Sequence, residues 1–492
     1  MKYQLKEVII VGIAAITLFE AVLGILQFHN IVKYANTNFE IGGTFNNPSI
    51  FGNFFALTIP FLLALMLFPE HFFLSRRQKT GIILILCLAI YVTILSMSRS
   101  SWMGIIAGGL TLICIKYRLN LNLLKVQPPK IFARGIIVSL LFVVAIILLI
   151  FYIKKDSSFG RYFIYKRSLE LSAANPITGY GSNSFGRVYN LFQADFFSKH
   201  KSTQQERLVA DNINIAPSDF IQILIEFGAI GLLLTLLVMI TVIYLGIKNL
   251  NHLIGKGRSI QAGGIGSVIS LFTCSLLSYP LHIIPISVIG LIIVSMLNLR
   301  GARLFTLSIS NPLKKLSAVI AISFLLLIGY IQIRQYKVQR EWGKLHFLSG
   351  FLTSESTLND YGKLYYTLHD RYLFISEFGM KQFYAGNYRE AIRLLSESNH
   401  YFANYQTYMY LGLAYQQVGA NDAALKNFKT ATYIVPNRFL PKFHLFNFYM
   451  KTGHHTEAQA VAKEIMAMPV KVQNSTVDYV REQVIRMMSA IH

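Results

Sequence analysis

Residues 211–231 read DNINIAPSDFIQILIEFGAIG, a polar loop that runs straight into a long apolar segment and carries two carboxylates over the threshold. Asp219 and Glu226 lie seven residues apart with Gln222 between them. Positions three and four apart lie on one side of a helix, so all three polar side chains share a face. That face enters a membrane. Asp219 with Gln222 also has the form of a capping box at a helix start. A carboxylate about two turns inside a bilayer costs roughly a few kcal/mol unless compensated, so Glu226 calls for an arginine partner or a polar cavity.

Composition agrees with a membrane reading. Of 492 residues, 53% are hydrophobic and 14% are charged, against roughly 25% charged in soluble proteins. The 46 Lys+Arg against 23 Asp+Glu give a formal charge of +23, which in a membrane chain marks basic loops facing anionic lipid. No zinc-finger spacing or basic helix points to nucleic acid. Cys87, Cys114 and Cys274 all sit inside apolar runs, a placement that suits core packing and neither a disulfide framework nor a metal cluster.

A bilayer core takes about 20 apolar residues per helix. About nine candidate segments fall near 8–28, 50–69, 81–98, 102–116, 135–153, 219–245, 262–281, 283–299 and 316–333. Four basic loops alternate onto one side: Arg76, Arg77 and Lys79; Lys116, Arg118, Lys125 and Lys130; Lys248, Lys256 and Arg258; Arg300, Arg303, Lys314 and Lys315. The positive-inside rule makes that side cytoplasmic. The N-terminus is then inside, and loop 154–218 and everything after 333 are outside. The first apolar run has no small-residue cleavage site after it and reads as a retained helix.

The C-terminal part has a repeat. YMYLGLAYQQVGANDAALKNFKTATYIVPN, residues 408–437, places Tyr408, Leu411, Gly412, Tyr415, Ala424, Phe428, Ala431 and Pro436 where a tetratricopeptide repeat wants its large, small, aromatic and helix-ending residues. Gly379, Gly386 and Ala391 recur one period earlier, and Tyr449, Gly453 and Ala458 one period later. Such arrays present a concave surface that binds protein or peptide. The expected architecture is therefore all-α: a polytopic helix bundle over 1–333, followed by an α-solenoid over 334–492.

The outer helix ends carry the remaining polar residues. GGTFNNPSIFGNFFA (42–56) reads as a helix entry, with Asn46 or Asn47 capping and Pro48 in the first turn. LSMSRSSWMG (95–104) puts Arg99 in a link too short to need a charge for solubility, beside an interfacial Trp102. Guanidinium geometry suits phosphate oxygens. In the outer loop, Arg161, Arg167 and Arg187 surround a Pro-Ile-Thr-Gly-Tyr-Gly turn, with Glu170 and Asp195 as the nearby carboxylates. Exterior positive charge runs against the positive-inside rule, so these arginines have a task. The turn lacks the lysine and strand context of a nucleotide-binding loop.

GTFNNPSIFGNF at 43–54, SRSSW at 98–102, GR…NPITGYGSNSF at 160–185, SDFIQILIEFGAIG at 218–231 and SYPLHIIP at 278–285 together resemble the O-antigen ligase and polymerase superfamily of membrane glycosyltransferases, in its tetratricopeptide-tailed bacterial form. The resemblance implies transfer of a glycan from a polyprenyl-pyrophosphate carrier to an acceptor hydroxyl at the periplasmic face of the inner membrane, with no nucleotide sugar, cofactor or metal. Acceptors in such a family include another glycan, lipid A core or protein, the last as a protein O-oligosaccharyltransferase. Two departures stand out. Family ligases carry a histidine about two residues before the position of Asp219, where this chain has Pro217, and members have further membrane helices ahead of GTFNNP, where one candidate precedes it here.

A pyrophosphate leaving group needs fixed positive charge, which Arg99 and Arg161, with Arg167 and Arg187, would supply. The acceptor hydroxyl needs a base, and Asp219, Glu226 and His282 are the candidates. His282 stands between Pro280 and Pro285, and an imidazole with an ordinary pKa near 6.5 suits proton transfer at neutral pH. A solute transporter shares the polytopic body and the intramembrane carboxylate, but would place its site at the midplane. A non-catalytic assembly scaffold, working through a partner bound to the tail, is the third reading.

Overall fold

Pro48 stands at the first turn of a helix, where a missing N–H costs nothing, and Asn47 Oδ1 accepts from Ser49 N at 2.7 Å to cap it. This helix is the most buried in the membrane part of the structure, a computed structural model. The structure describes the chain except residues 1, 35, 37, 38, 46, 69–74, 118–154, 201, 251, 252, 254, 255, 300–322, 324–326, 328, 329, 332, 348–352, 472 and 490–492. The candidate segment 135–153, most of 316–333 and Asn46 lie outside the described residues.

Among the described residues every regular element is helical. In chain order they are α1 (Lys2–Phe28), α2 (Pro48–Leu67), α3 (Arg76–Leu95), α4 (Arg99–Lys116), α5 (Lys155–Ser172), α6 (Phe185–Lys199), α7 (Gln204–Val209), α8 (Asp219–Leu250), α9 (Lys256–Leu277), a 3-10 turn (Pro280–His282) and α10 (Ile284–Met296). Eight further helices follow: α11 (Glu355–Leu368), α12 (Tyr372–Tyr384), α13 (Tyr388–Tyr401), α14 (Tyr405–Gln417), α15 (Asn421–Ile434), α16 (Phe439–Lys451), α17 (His455–Ala467) and α18 (Ser475–Ser489).

Among the described residues, five helices are long and apolar enough to cross a membrane: Leu5–Phe28, Pro48–Leu67, Arg76–Leu95, Asp219–Leu250 and Gly257–Leu277. The chain is a multi-pass membrane protein. It divides into two compact units, one of Met1–Arg161, Asn175–Gly179 and Ile215–Ala302, the other of Tyr162–Ala174, Tyr180–Asn214 and Arg303–His492. Most of the long polar loop therefore packs with the C-terminal helices, a division different from a simple boundary near residue 333.

In the first unit, α2, α4 and α9 form the centre, around Phe51, Phe54, Phe55 and Phe61. Pro60 inside α2 has no N–H to give the carbonyl four residues back. Ser270 of α9 supplies the missing donor, its Oγ lying 2.5 Å from Ala56 O, and Ser267 Oγ donates to Leu57 O at 2.7 Å. Backbone satisfied by a neighbouring helix is how membrane helices tolerate proline.

α8 was expected as one uninterrupted segment, and it breaks at Gly228, whose φ of 64° and ψ of −164° are non-helical. Before the break, Asp219, Gln222, Ile225 and Glu226 are buried; beyond it, Leu233, Leu234, Leu237 and Val238 are exposed. The turn at 175–179 fills the break: Ala229 N donates to Pro176 O at 2.8 Å and Ile230 N to Ile177 O at 3.3 Å. A Cβ on Gly228 would stand 2.2 Å from Ile177 O, and one on Gly179 2.6 Å from Glu226 O, so neither position accepts a side chain. Helical amides that lose their own ladder are met by a loop, as a bilayer requires.

The second unit joins α6, α7 and the segment to Asn214 onto α11–α18. Asn190 Nδ2 donates to Ile213 O and Ala403 O, and Gln193 Nε2 to Asp211 O and Ile434 O. Asn437 Nδ2 reaches the carbonyls of Arg207, Leu208 and Ala210. These side chains take up backbone acceptors that would otherwise be buried without donors.

Candidate active site in the membrane unit

Asp219 opens α8 fully buried, and its amide donates to Ser278 O at 3.0 Å. Its carboxylate does not close a capping box with Gln222. Instead, Oδ2 accepts from Leu281 N at 3.0 Å and Oδ1 lies 2.6 Å from His282 Nδ1. The prolines around His282 explain the approach: Pro280 begins the 3-10 turn and Pro285 sits in the first turn of α10. The His282 side chain is 28% exposed. Burial pushes its imidazole pKa down, but the hydrogen bond and charge of Asp219, with the charge of Glu226, outweigh that and raise it above 6.5.

Gln222 fixes the rest of the polar face. Its Oε1 accepts from Ala216 N at 3.0 Å and its Nε2 donates to Glu226 Oε1 at 3.1 Å. Glu226 is thus an acceptor in a buried chain of hydrogen bonds, two residues before the break at Gly228. Asp219, Gln222 and Glu226 do share one face of the helix, and His282 joins it from the next turn.

Arg161 reaches the end of α9, just before this turn, from α5: its NH1 donates to Leu277 O at 2.9 Å. Tyr279 lies within the influence of both sides of the site. Burial raises its phenol pKa, Arg161 opposes that shift and Asp219 adds to it. One turn before Arg161, Ser158 Oγ accepts from Arg99 NH1 at 2.6 Å. Arg99 and Arg161 line one cavity of about 780 Å³, together with Asn47, Ser49, Ser96 and Ser98.

A fully buried asparagine ties these motifs together. Asn53 Nδ2 donates to Ser278 Oγ at 2.8 Å, and its Oδ1 accepts from Ser100 Oγ and Ser101 Oγ, each at 3.0 Å. Asn53 and Ser278 were absent from the candidate residues read in the sequence; the available signal was a single asparagine inside an apolar run. Trp102 Nε1 donates to Thr93 O at 3.0 Å, which anchors the start of α4 to α3.

Arg167 and Arg187 belong to the other unit. The Arg167 guanidinium pairs with Glu170 at 2.8 Å and stacks 4.1 Å from the Phe196 ring centre, an engaged packing position. Arg187, on α6, lies near enough to Tyr408 for its charge to oppose the rise that burial causes in that phenol's pKa. The structure therefore brings Arg99 and Arg161 together on one cavity, and Asp219, Glu226 and His282 into one hydrogen-bonded and electrostatically coupled group.

No curated protein matches the chain. A family model described as O-Antigen ligase matches residues 82–236, which include Arg99, Arg161, Asp219 and Glu226 but neither Asn53 nor His282. Over residues 82–236 the chain is similar to the O-antigen ligase family.

Proposed function

We propose that the protein transfers a glycan from a polyprenyl-pyrophosphate carrier to an acceptor hydroxyl at the periplasmic face of the inner membrane. The observation that carries this reading is the Asp219–His282 pair, formed five residues beyond Leu277, whose carbonyl receives Arg161. A base thereby stands near the end of the helix that Arg161 contacts, and Arg161 shares a cavity with Arg99. With Nδ1–H donated to Asp219, the Nε2 lone pair of His282 takes the acceptor's hydroxyl proton. The acceptor oxygen bonds to the anomeric carbon as the bond from that carbon to the pyrophosphate oxygen breaks, and the electron pair leaves with the carrier. Arg99 and Arg161 meet the charge that develops there. Asp219 stabilises the imidazolium, and Glu226 organises Gln222 and adds negative potential.

His282 thus takes the role of the histidine that the family resemblance places at Pro217. The C-terminal helices read as tetratricopeptide pairs, supported by positive φ at Gly386, Gly419 and Gly453 and by the buried Ala391, Ala424 and Ala458. Their surface would receive an acceptor or a protein partner.

Purified protein in lipid nanodiscs, given lipid-linked glycan and a hydroxyl acceptor, should release carrier pyrophosphate and glycosylated acceptor in equal amounts. Solute flux into proteoliposomes without any transfer would support a transporter instead. In cells lacking the protein, free lipid A core, single glycan units or unglycosylated protein identifies which acceptor is used.

A further inference from the structure

The cavity that holds Arg99 and Arg161 has a second wall of different chemistry. Asn30, Lys33, Tyr34, Phe39 and Glu40 line it, all from the segment between α1 and α2. A pyrophosphate fills only part of a cavity of about 780 Å³. Ligand sites combine apolar and aromatic surface with a few convergent polar groups, and this wall offers two aromatic rings, an amide, a carboxylate and an ammonium. Aromatic faces suit the C–H faces of a sugar ring, while planar amide and carboxylate groups suit its neighbouring hydroxyls.

The wall is held by two polar residues of a membrane-spanning helix. Gln27 Oε1 accepts from Gly42 N at 3.1 Å and Gly43 N at 2.7 Å, and its Nε2 donates to Gly43 O at 2.8 Å. Glu20 accepts from Thr44 N at 3.1 Å and Thr44 Oγ1 at 2.6 Å. Both side chains are only 5% exposed. A buried carboxylate within a membrane helix is costly and marks a functional position; here it pins the chain that joins the wall to Asn47 and Ser49. Tyr34 OH closes the same loop on Phe45 O at 2.5 Å.

We infer that this wall is a subsite for the first sugar of the donor, the ring attached to the pyrophosphate, with Asn30, Phe39 and Glu40 contacting the sugar and Glu20 and Gln27 as positioning residues. The inference rests on the proposed pyrophosphate role of Arg99 and Arg161. The wall precedes residue 82, so it lies outside the segment matched by the family model and can set a sugar preference particular to this chain.

The test uses the full chain in nanodiscs and two probes: undecaprenyl pyrophosphate, and lipid-linked glycan extracted from the producing cells. The glycan-bearing probe should bind roughly tenfold more tightly, a difference worth about 1.4 kcal/mol. Phe39→Ala and Glu40→Gln should remove most of that difference while leaving undecaprenyl pyrophosphate binding unchanged. Gln27→Ala should act in the same sense, with Gln27→Glu, which keeps the acceptor, losing less. Equal binding of the two probes by the unaltered protein, or an equal loss for both probes in Phe39→Ala and Glu40→Gln, overturns the subsite. Arg99→Lys and Arg161→Lys test the underlying reading separately, because they should weaken both probes.

Discussion

His282 Nδ1 lies 2.6 Å from Asp219 Oδ1, joining two positions 63 residues apart into one acid–imidazole pair whose acid is fully buried and whose imidazole is partly exposed. The pair has a pH signature. Since the imidazole pKa is raised, the neutral, proton-accepting form predominates only above that raised value, and turnover should climb through a limb lying above pH 6.5. Asp219→Asn removes the charge that raises the pKa, so the limb should move to lower pH while the plateau falls. Stability runs the opposite way. A raised histidine pKa contributes stability that is present below the unfolded value and lost as pH rises through the folded value. Rate and melting temperature measured on the same samples across pH check both signs.

Asn53→Ala should leave Ser278, Ser100 and Ser101 without their shared partner. Losing one side of a buried polar group costs about 1–3 kcal/mol, so thermal unfolding in detergent should shift down. Asn53→Asp keeps an acceptor for the two serines but loses the donor to Ser278 and buries a carboxylate at a fully buried position, so it should be destabilised at least as much as Asn53→Ala. Identical melting of all three proteins contradicts the role given to this residue.

The break in α8 should tolerate no side chain. Gly228→Ala adds a Cβ about 2.2 Å from Ile177 O at a φ of 64° and ψ of −164°, a backbone region essentially confined to glycine that costs another residue about 1–3 kcal/mol before the clash is counted. Expression in the membrane and melting temperature should both drop. A neighbouring Ala229→Gly change, which keeps the amide that Pro176 O accepts, should be milder.

Part of the candidate site's layout was legible in the sequence because its signals are local. The seven-residue spacing of Asp219 and Glu226 fixed a shared face, the prolines around His282 marked a stiff turn, and Arg99 stood out in a short apolar link. What stayed hidden depended on distant partners. A lone asparagine in an apolar helix does not reveal that its partner is 225 residues away at Ser278. The break at Gly228 could not be read from its own helix, because the carbonyls that stabilise it come from residues 176 and 177. Arg167 looked like exterior charge, although Phe196 and Glu170 occupy it. The helical period of the C-terminal part likewise gave no sign that Asn437 would hold residues 207–210.

That last contact changes the expectation for the tail. Asn437→Ala should expose three carbonyls to compensation by water and loosen residues 203–214, increasing proteolytic cleavage there while cleavage elsewhere stays constant. Ending the chain near residue 340 should have a larger effect of the same kind. Unchanged protection of this segment in both proteins would mean that the loop holds its structure without the C-terminal helices.

The most direct measurement of the central claim is single-turnover transfer by His282→Gln, with donor binding recorded on the same nanodisc samples. General base catalysis contributes about 10²–10⁴-fold, so the variant should lose transfer by that order and keep donor affinity, whereas Arg99→Lys and Arg161→Lys should lose affinity. If His282→Gln keeps the unaltered rate and pH profile while Asp219→Asn or Glu226→Gln abolishes turnover, the proton goes to a carboxylate of α8 and the histidine is not the base.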